Sequence, residues 1–204
     1  MEQKINYKQL FDMQLNKIKQ KESRPSLLLH ACCAPCSSYV LEYLCDLFDI
    51  TLFFYNPNIA PEKEYLFRAE ELIRLVNKMP LNHKPTVIVP PYDPSPFDTL
   101  AKGKELLPER GSRCTDCYYT RLEQTYKKAA EGGFDFFSTT LSISPHKDAK
   151  RLNDIGSSLA SGGGTEWLYS DFKKNEGYKR SIQLSEQYSL YRQNYCGCVY
   201  SKKD

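Results

Sequence analysis

The chain has 204 residues, 41% of them hydrophobic and 26% charged, with a formal net charge of +3. That length suits one domain with a core that stands without staples, and the charge is too small to argue for nucleic acid by itself. No stretch reaches the roughly 18–20 apolar residues of a membrane span, and the Lys-, Gln- and Asn-rich start lacks a signal peptide's apolar centre, so a cytoplasmic protein is expected.

Residues 5–21 place Tyr7, Phe11, Leu15 and Ile18 on one face of an amphipathic helix. Leu27-Leu28-Leu29 is a continuous apolar run, the pattern of a strand covered on both faces. It breaks into His30-Ala31-Cys32-Cys33-Ala34-Pro35-Cys36, after which Ser37 or Ser38 is the expected N-cap of a helix over 39–48. Residues 49–55 read as a second strand ended by Asn56-Pro57-Asn58, and Pro61 starts a helix running to about residue 78. Residues 86–89 form a third strand, stopped by Pro90 and Pro91. A long loop with a short helix over 97–103 follows, then a helix over 114–131 closed by Gly132-Gly133. Strands over 134–138 and 167–169, helices over 148–159 and 178–187, and a linker at Gly162-Gly163-Gly164 complete the chain. The alternation of strand and helix predicts a single α/β domain: a mostly parallel sheet, helices on both faces, the site at the carboxyl ends of the strands.

Eight cysteines in a reducing compartment are poor disulfide candidates, and seven of them cluster. Cys32, Cys33 and Cys36 form CCxxC, Cys114 and Cys117 form CxxC, and Cys196 and Cys198 form CxC, whereas Cys45 stands alone and reads as a buried core thiol. CxxC at a helix start lets two thiolates converge while backbone amides stabilise their charge. The adjacent pair Cys32–Cys33 suits a cluster or two neighbouring metals better than a single tetrahedral ion. Two closed zinc sites want eight ligands, so seven thiols divide poorly, while a 4Fe–4S cluster takes four and leaves three. The glycine run lacks any phosphate-binding frame, His30 reads as structural, and His83 and His146 read as surface residues. Tyr191-Arg192-Gln193-Asn194-Tyr195 places aromatic and cationic side chains beside Cys196, a combination suited to base stacking and phosphate contact, or simply to a solvated tail. Lys102, Lys104, Arg110 and Arg113 add positive charge near the second cysteine pair.

Leu29-His30-Ala31-Cys32-Cys33-Ala34-Pro35-Cys36-Ser37 resembles the opening of the cobalamin-independent epoxyqueuosine reductase family, QueH. Phe54-Tyr55-Asn56-Pro57-Asn58-Ile59, Arg113-Cys114-x-x-Cys117, Phe137-Ser138-Thr139-Thr140-Leu141, Ile155-Gly156 and Tyr191-Arg192-Gln193-Asn194-Tyr195-Cys196-Gly197-Cys198 carry the resemblance to residue 200. On it, residues 1–25 are an N-terminal helical extension and 26–204 the reductase domain, with a Rossmann-like fold similar to the nucleotide-hydrolase superfamily. It implies reduction of epoxyqueuosine at the tRNA wobble position to queuosine, the last step of queuosine synthesis, with a 4Fe–4S cluster, an additional mononuclear iron and a low-potential donor such as ferredoxin or flavodoxin. With such a cluster expected, the two pairs at helix starts, Cys32 and Cys33 with Cys114 and Cys117, are the preferred ligands, with Cys196 or Cys198 the alternative for one of them. Cys36, Cys196 and Cys198 then serve the second metal, or Cys196 and Cys198 form a redox pair. Tyr55, Asn56, Arg113, Tyr191, Arg192 and Tyr195 are the expected substrate contacts, and Tyr55, His30 and Asp116 the expected proton sources. The rival readings are a zinc-stabilised RNA-binding module without catalysis and a tRNA-modifying ATP pyrophosphatase. The second is opposed by the cysteines that stand where its phosphate loop would be.

Overall fold

The computed structural model describes residues 5–202. The first four residues of the expected extension and the last two of the chain therefore lie outside the described residues. Five parallel strands form one sheet: β1 (Ser26–His30), β2 (Asp49–Phe53), β3 (Thr86–Ile88), β4 (Phe136–Thr139) and β5 (Glu166–Trp167), in the order β3-β2-β1-β4-β5. Seven α-helices connect and flank them among the described residues: α1 (Tyr7–Ile18), α2 (Ala34–Leu44), α3 (Glu62–Lys78), α4 (Ser95–Ala101), α5 (Ser112–Glu131), α6 (Ala149–Ala160) and α7 (Gly177–Gln187).

β1 is the centre of this arrangement. Side chains alternate across a strand, so Leu27 and Leu29 pack into one core with α1, α2 and α3, while Leu28 packs into the other with α5 and α6. All three leucines are fully buried, which is why the run reads as continuous rather than alternating. Helix α1 belongs to the first of these cores through Phe11, Leu15 and Ile18. It also serves the sheet's edge: the Gln14 side-chain amide donates to the Trp167 carbonyl and accepts from the Tyr169 amide. At the opposite edge β3 is three residues long and runs into Pro90 and Pro91.

The strand order reverses at β1, whose neighbours β2 and β4 connect in opposite directions along the sheet. A crevice at such a reversal, outside the carboxyl ends of the strands, is where open α/β sheets bind ligands. Here the segments leaving it are the cysteine turn after β1 and a 3-10 turn, Thr140–Ile143, after β4. The Cys32 amide donates to Thr140 Oγ1 at 3.2 Å, and the Thr140 hydroxyl donates to Cys32 Sγ at 3.4 Å, which joins the two segments.

One boundary differs from the sequence expectation in a way that matters for the site. Helix α2 begins at Ala34 rather than after Ser37 or Ser38, with extended Cys33 as its N-cap and a proline in the first turn. The serine hydroxyls instead donate back to the carbonyls of Cys33 and Pro35. Cys36 therefore stands on the helix's first turn, facing back toward the turn that holds Cys32 and Cys33.

Candidate metal centre and substrate cavity

All eight cysteines are free thiols. Cys32, Cys33 and Cys36 present three sulfurs that all lie within 4.8 Å of one another, with Cys32 Sγ and Cys33 Sγ 3.8 Å apart. A metal–sulfur bond of about 2.3 Å places tetrahedral ligands about 3.8 Å apart, so this triad has the spacing of ligands to one ion. Adjacent cysteines, read from sequence as awkward partners for a single ion, converge here because the strand ends and the helix starts between them. The thiols share hydrogen bonds, and those from Cys32 and Cys36 hold Cys33 well below the ordinary thiol pKa. The same sharing raises the other two: Cys33 chiefly pushes Cys32 up to about 11, and Cys32 chiefly pushes Cys36 well up. Cys33 is thus the thiol that ionises first.

The second group comes from α5 and the tail. Cys114 and Cys117 are three residues apart near the start of α5, hence on one face, and the Arg110 amide donates to Cys114 Sγ at 3.3 Å. The tail brings Cys196 and Cys198 beside them, and all four thiols line one small cavity together with Phe97, Arg113 and Lys147. Gly197 makes that approach possible: its φ is +106°, and a Cβ there would stand 2.9 Å from Ile59 Cγ1 and 3.0 Å from Arg68 Nη1. Burial pushes the Cys117 and Cys198 thiols up to about 11 each. The geometry therefore sorts the clustered thiols into a triad and a quartet, a different grouping from the split in which Cys32 and Cys33 join Cys114 and Cys117.

The two groups meet at one larger cavity of about 390 Å³, lined by the triad, Cys196, Arg121, Lys147, Arg192 and Tyr195 among others. Two buried arginines and a half-buried lysine surround the thiols. Arg121 is 2% exposed, and burial disfavours its charge while the Cys117, Cys196 and Cys32 thiols support it, with a net upward shift. Lys147 Nζ donates to Cys196 Sγ at 3.2 Å and lies over the Tyr118 ring. Burial opposes its charge too, yet Cys196 and Tyr118 outweigh it and hold its pKa up. Arg113 is 2% exposed, donates to the Lys104 and Glu105 carbonyls and stacks over Tyr200. Buried cations that face thiols suit an anionic metal–thiolate group, since isolated buried charge is costly. The donor set and its surroundings fit the cofactors that the sequence resemblance implies.

The remaining expected residues divide. Arg192 and Tyr195 line the cavity; Arg192 is exposed, donates to Ser185 Oγ at 3.1 Å and lies over the Tyr178 ring. Tyr191 points elsewhere, its hydroxyl donating to Glu64 at 3.4 Å and its ring packed edge-on to Phe67. The Asn56 amide is committed, donating to the Ala31 carbonyl and accepting from Arg121. Tyr55 stacks on Phe53, and Asp116 pairs with Lys104. His30 is fully buried and burial lowers its pKa to about 3, so it is neutral and structural. His146, expected at the surface, is exposed at the cavity rim. Sequence reading passed over Arg121 and Lys147. Only Arg121 carried a signal, since it follows Cys117 by one helical turn.

A family model described as epoxyqueuosine reductase QueH matches residues 27–204. The chain belongs to the QueH family. A Streptococcus pyogenes relative named epoxyqueuosine reductase QueH is 46% identical over 204 residues, covering 98% of this chain and 80% of its own length. A Staphylococcus epidermidis relative of the same name is 42% identical, covering 98% and 85%. A more distant QueH from Thermotoga maritima is 35% identical over 179 residues, covering 86% and 90%. No helix among the described residues is long and apolar enough to cross a membrane.

Proposed function

We propose that this chain reduces epoxyqueuosine in the tRNA anticodon to queuosine. The observation that carries the reading is the meeting of a thiol triad and a thiol quartet at one cavity on the sheet's reversal point, in a member of the QueH family. In the reaction both C–O bonds of the epoxide break, a C=C bond forms, and oxygen leaves as water, which takes two electrons and two protons. Cys114, Cys117, Cys196 and Cys198 would hold a 4Fe–4S cluster, a four-thiolate group. Cys32, Cys33 and Cys36, spaced for one ion, would hold the additional iron. When bound, these groups supply single electrons, drawn from a donor such as ferredoxin or flavodoxin, and a Lewis-acidic position for the epoxide oxygen.

The chain's own residues do the rest. The cavity is large enough for the modified base side chain and admits it between the carboxyl ends of β1 and β4. Arg192 and Tyr195 at its wall offer a phosphate contact and a stacking face to a base splayed from the anticodon loop. Lys147, fixed by Cys196 and Tyr118, holds a positive charge at the wall, where it favours negative charge developing on the departing oxygen.

The test is iron, acid-labile sulfide and zinc content after anaerobic reconstitution, followed by incubation with epoxyqueuosine-containing tRNA and a chemical reductant. About five irons and four sulfides per chain, with loss of one oxygen from the modified nucleoside, is the expected result. Zinc without sulfide, and no conversion, would leave the thiols as scaffolding for an RNA-binding module.

A further inference from the structure

Arg121 is one of three arginines that are only 2% exposed among the described residues, and the reduction chemistry above assigns it no part. It sits on α5 one turn beyond Cys117 and is 2% exposed. Its Nε donates to His30 Nε2 at 3.2 Å, and its Nη2 donates to Asn56 Oδ1 at 2.5 Å. His30 Nδ1 in turn lies 2.8 Å from Thr139 Oγ1, and the Asn56 amide donates to the Ala31 carbonyl. The guanidinium is therefore clasped by the last residue of β1 and a residue just after β2, and His30 is held in turn by the last residue of β4, all at the carboxyl edge of the sheet.

Both of those hydrogen-bonding partners are neutral, so they aim the cation without cancelling it. The ionisable groups it faces are thiols, Cys117, Cys196 and Cys32, which carry negative charge once they bind metal. Cys32 belongs to the triad, and Cys117 and Cys196 belong to the quartet. Arg121 also lines the larger cavity where the two groups meet. A cation fixed between two thiolate-bound metal groups favours whichever state carries the extra electron, since reduction adds one negative charge at short range in a poorly screened interior.

We propose that Arg121 is a positioning residue whose fixed charge, shared between triad and quartet, sets the electron affinity of the iron–sulfur group. The inference rests on the cofactor reading above. Asn56 and His30, residues of the QueH motifs, then owe their place at the sheet edge to aiming this cation.

The experiment is an anaerobic potentiometric titration, followed by electron paramagnetic resonance, of wild type, Arg121→Lys and Arg121→Gln holoenzymes. Iron and sulfide counts and thermal melting are recorded on each. Arg121→Gln that keeps its iron and sulfide should be at least tenfold harder to reduce, a fall of about 59 mV for one electron. Arg121→Lys should stay within about threefold of wild type. A loaded Arg121→Gln protein with wild-type potential would refute the proposal. Should the glutamine variant fail to load, the lysine variant decides: loading with near-wild-type potential supports the role of charge, and failure to load, or a tenfold fall, overturns it. A wild-type protein that binds iron but no sulfide removes the cofactor reading and this inference with it. An unshifted potential in a loaded glutamine variant removes the inference alone.

Discussion

Gly156→Ala is the substitution whose cost the structure defines most sharply. Gly156 lies on α6 against the Trp167 indole of the edge strand β5, and a Cβ there would stand 2.2, 2.4 and 2.5 Å from three ring carbons. Carbon atoms rest about 3.5–4.0 Å apart, so helix and ring must separate by more than about 1 Å. The indole has nowhere to go: it is 3% exposed, packs edge-on to Phe137 at 5.0 Å, and donates through Nε1 to Asn153 Oδ1 at 3.0 Å. Asn153 is itself tied to Ser170 through both its amide and its carbonyl. Overpacking costs about 1–3 kcal/mol and a broken buried hydrogen bond about 1 kcal/mol more, against about 1 kcal/mol gained from replacing a mid-helix glycine. The net expectation is a loss of about 2 kcal/mol, or about 4–8 °C in Tm for a chain of this size. Urea unfolding of the metal-free protein measures it, with thermal melting as a check. A variant as stable as wild type, or more so, would show that helix propensity wins and that the close approach is not under strain.

Other expectations concern the site and the acid limb of stability. Cys198→Ser should abolish acid-labile sulfide and remove about four of five irons, whereas Cys33→Ser should keep the sulfide and lose about one iron; the reverse pattern would restore the split that pairs Cys32 and Cys33 with Cys114 and Cys117. Arg192→Ala should raise KM for tRNA several-fold with little change in metal content, and an unaltered KM and tRNA affinity would remove Arg192 from the substrate contacts. The Asp135 carboxylate accepts from the Ser26 amide and hydroxyl, both at 2.8 Å, and these bonds hold its pKa below the ordinary carboxylate value. A depressed folded pKa contributes stability that is present above the unfolded value near 3.8 and is lost as pH falls through the folded one. Asp135→Asn should therefore lower stability modestly at neutral pH and flatten its decline below about pH 4, measured by denaturant midpoints across pH.

The strands were legible because burial on both faces leaves an uninterrupted apolar run, as in Leu27-Leu28-Leu29. The start of α2 was not, because Ser37 and Ser38 have cap chemistry while the chain turns earlier, at extended Cys33, and uses the serines inside the helix. Thiol spacing disclosed three clusters but not their grouping, which depends on where the tail returns, more than 60 residues after α5. Asn56 was legible as important, in a turn after β2, yet its partner Arg121 lies 65 residues away in sequence, and an arginine in a polar helix ordinarily reads as solvent-facing. Lys147 gave no sign at all, since only the fold brings it to Cys196.

The two ends of the sheet carry a consequence for how copies of this protein meet. An open sheet presents a row of unpaired amides and carbonyls at each margin, which a neighbouring chain can extend. Here one margin is three residues long and blunted by Pro90 and Pro91, and at the other Gln14 takes up the Trp167 carbonyl and the Tyr169 amide as an additional strand would. The first helix is thus a chaperone in cis for β5, and a version of the chain begun at Ser26 would bare a self-templating seam.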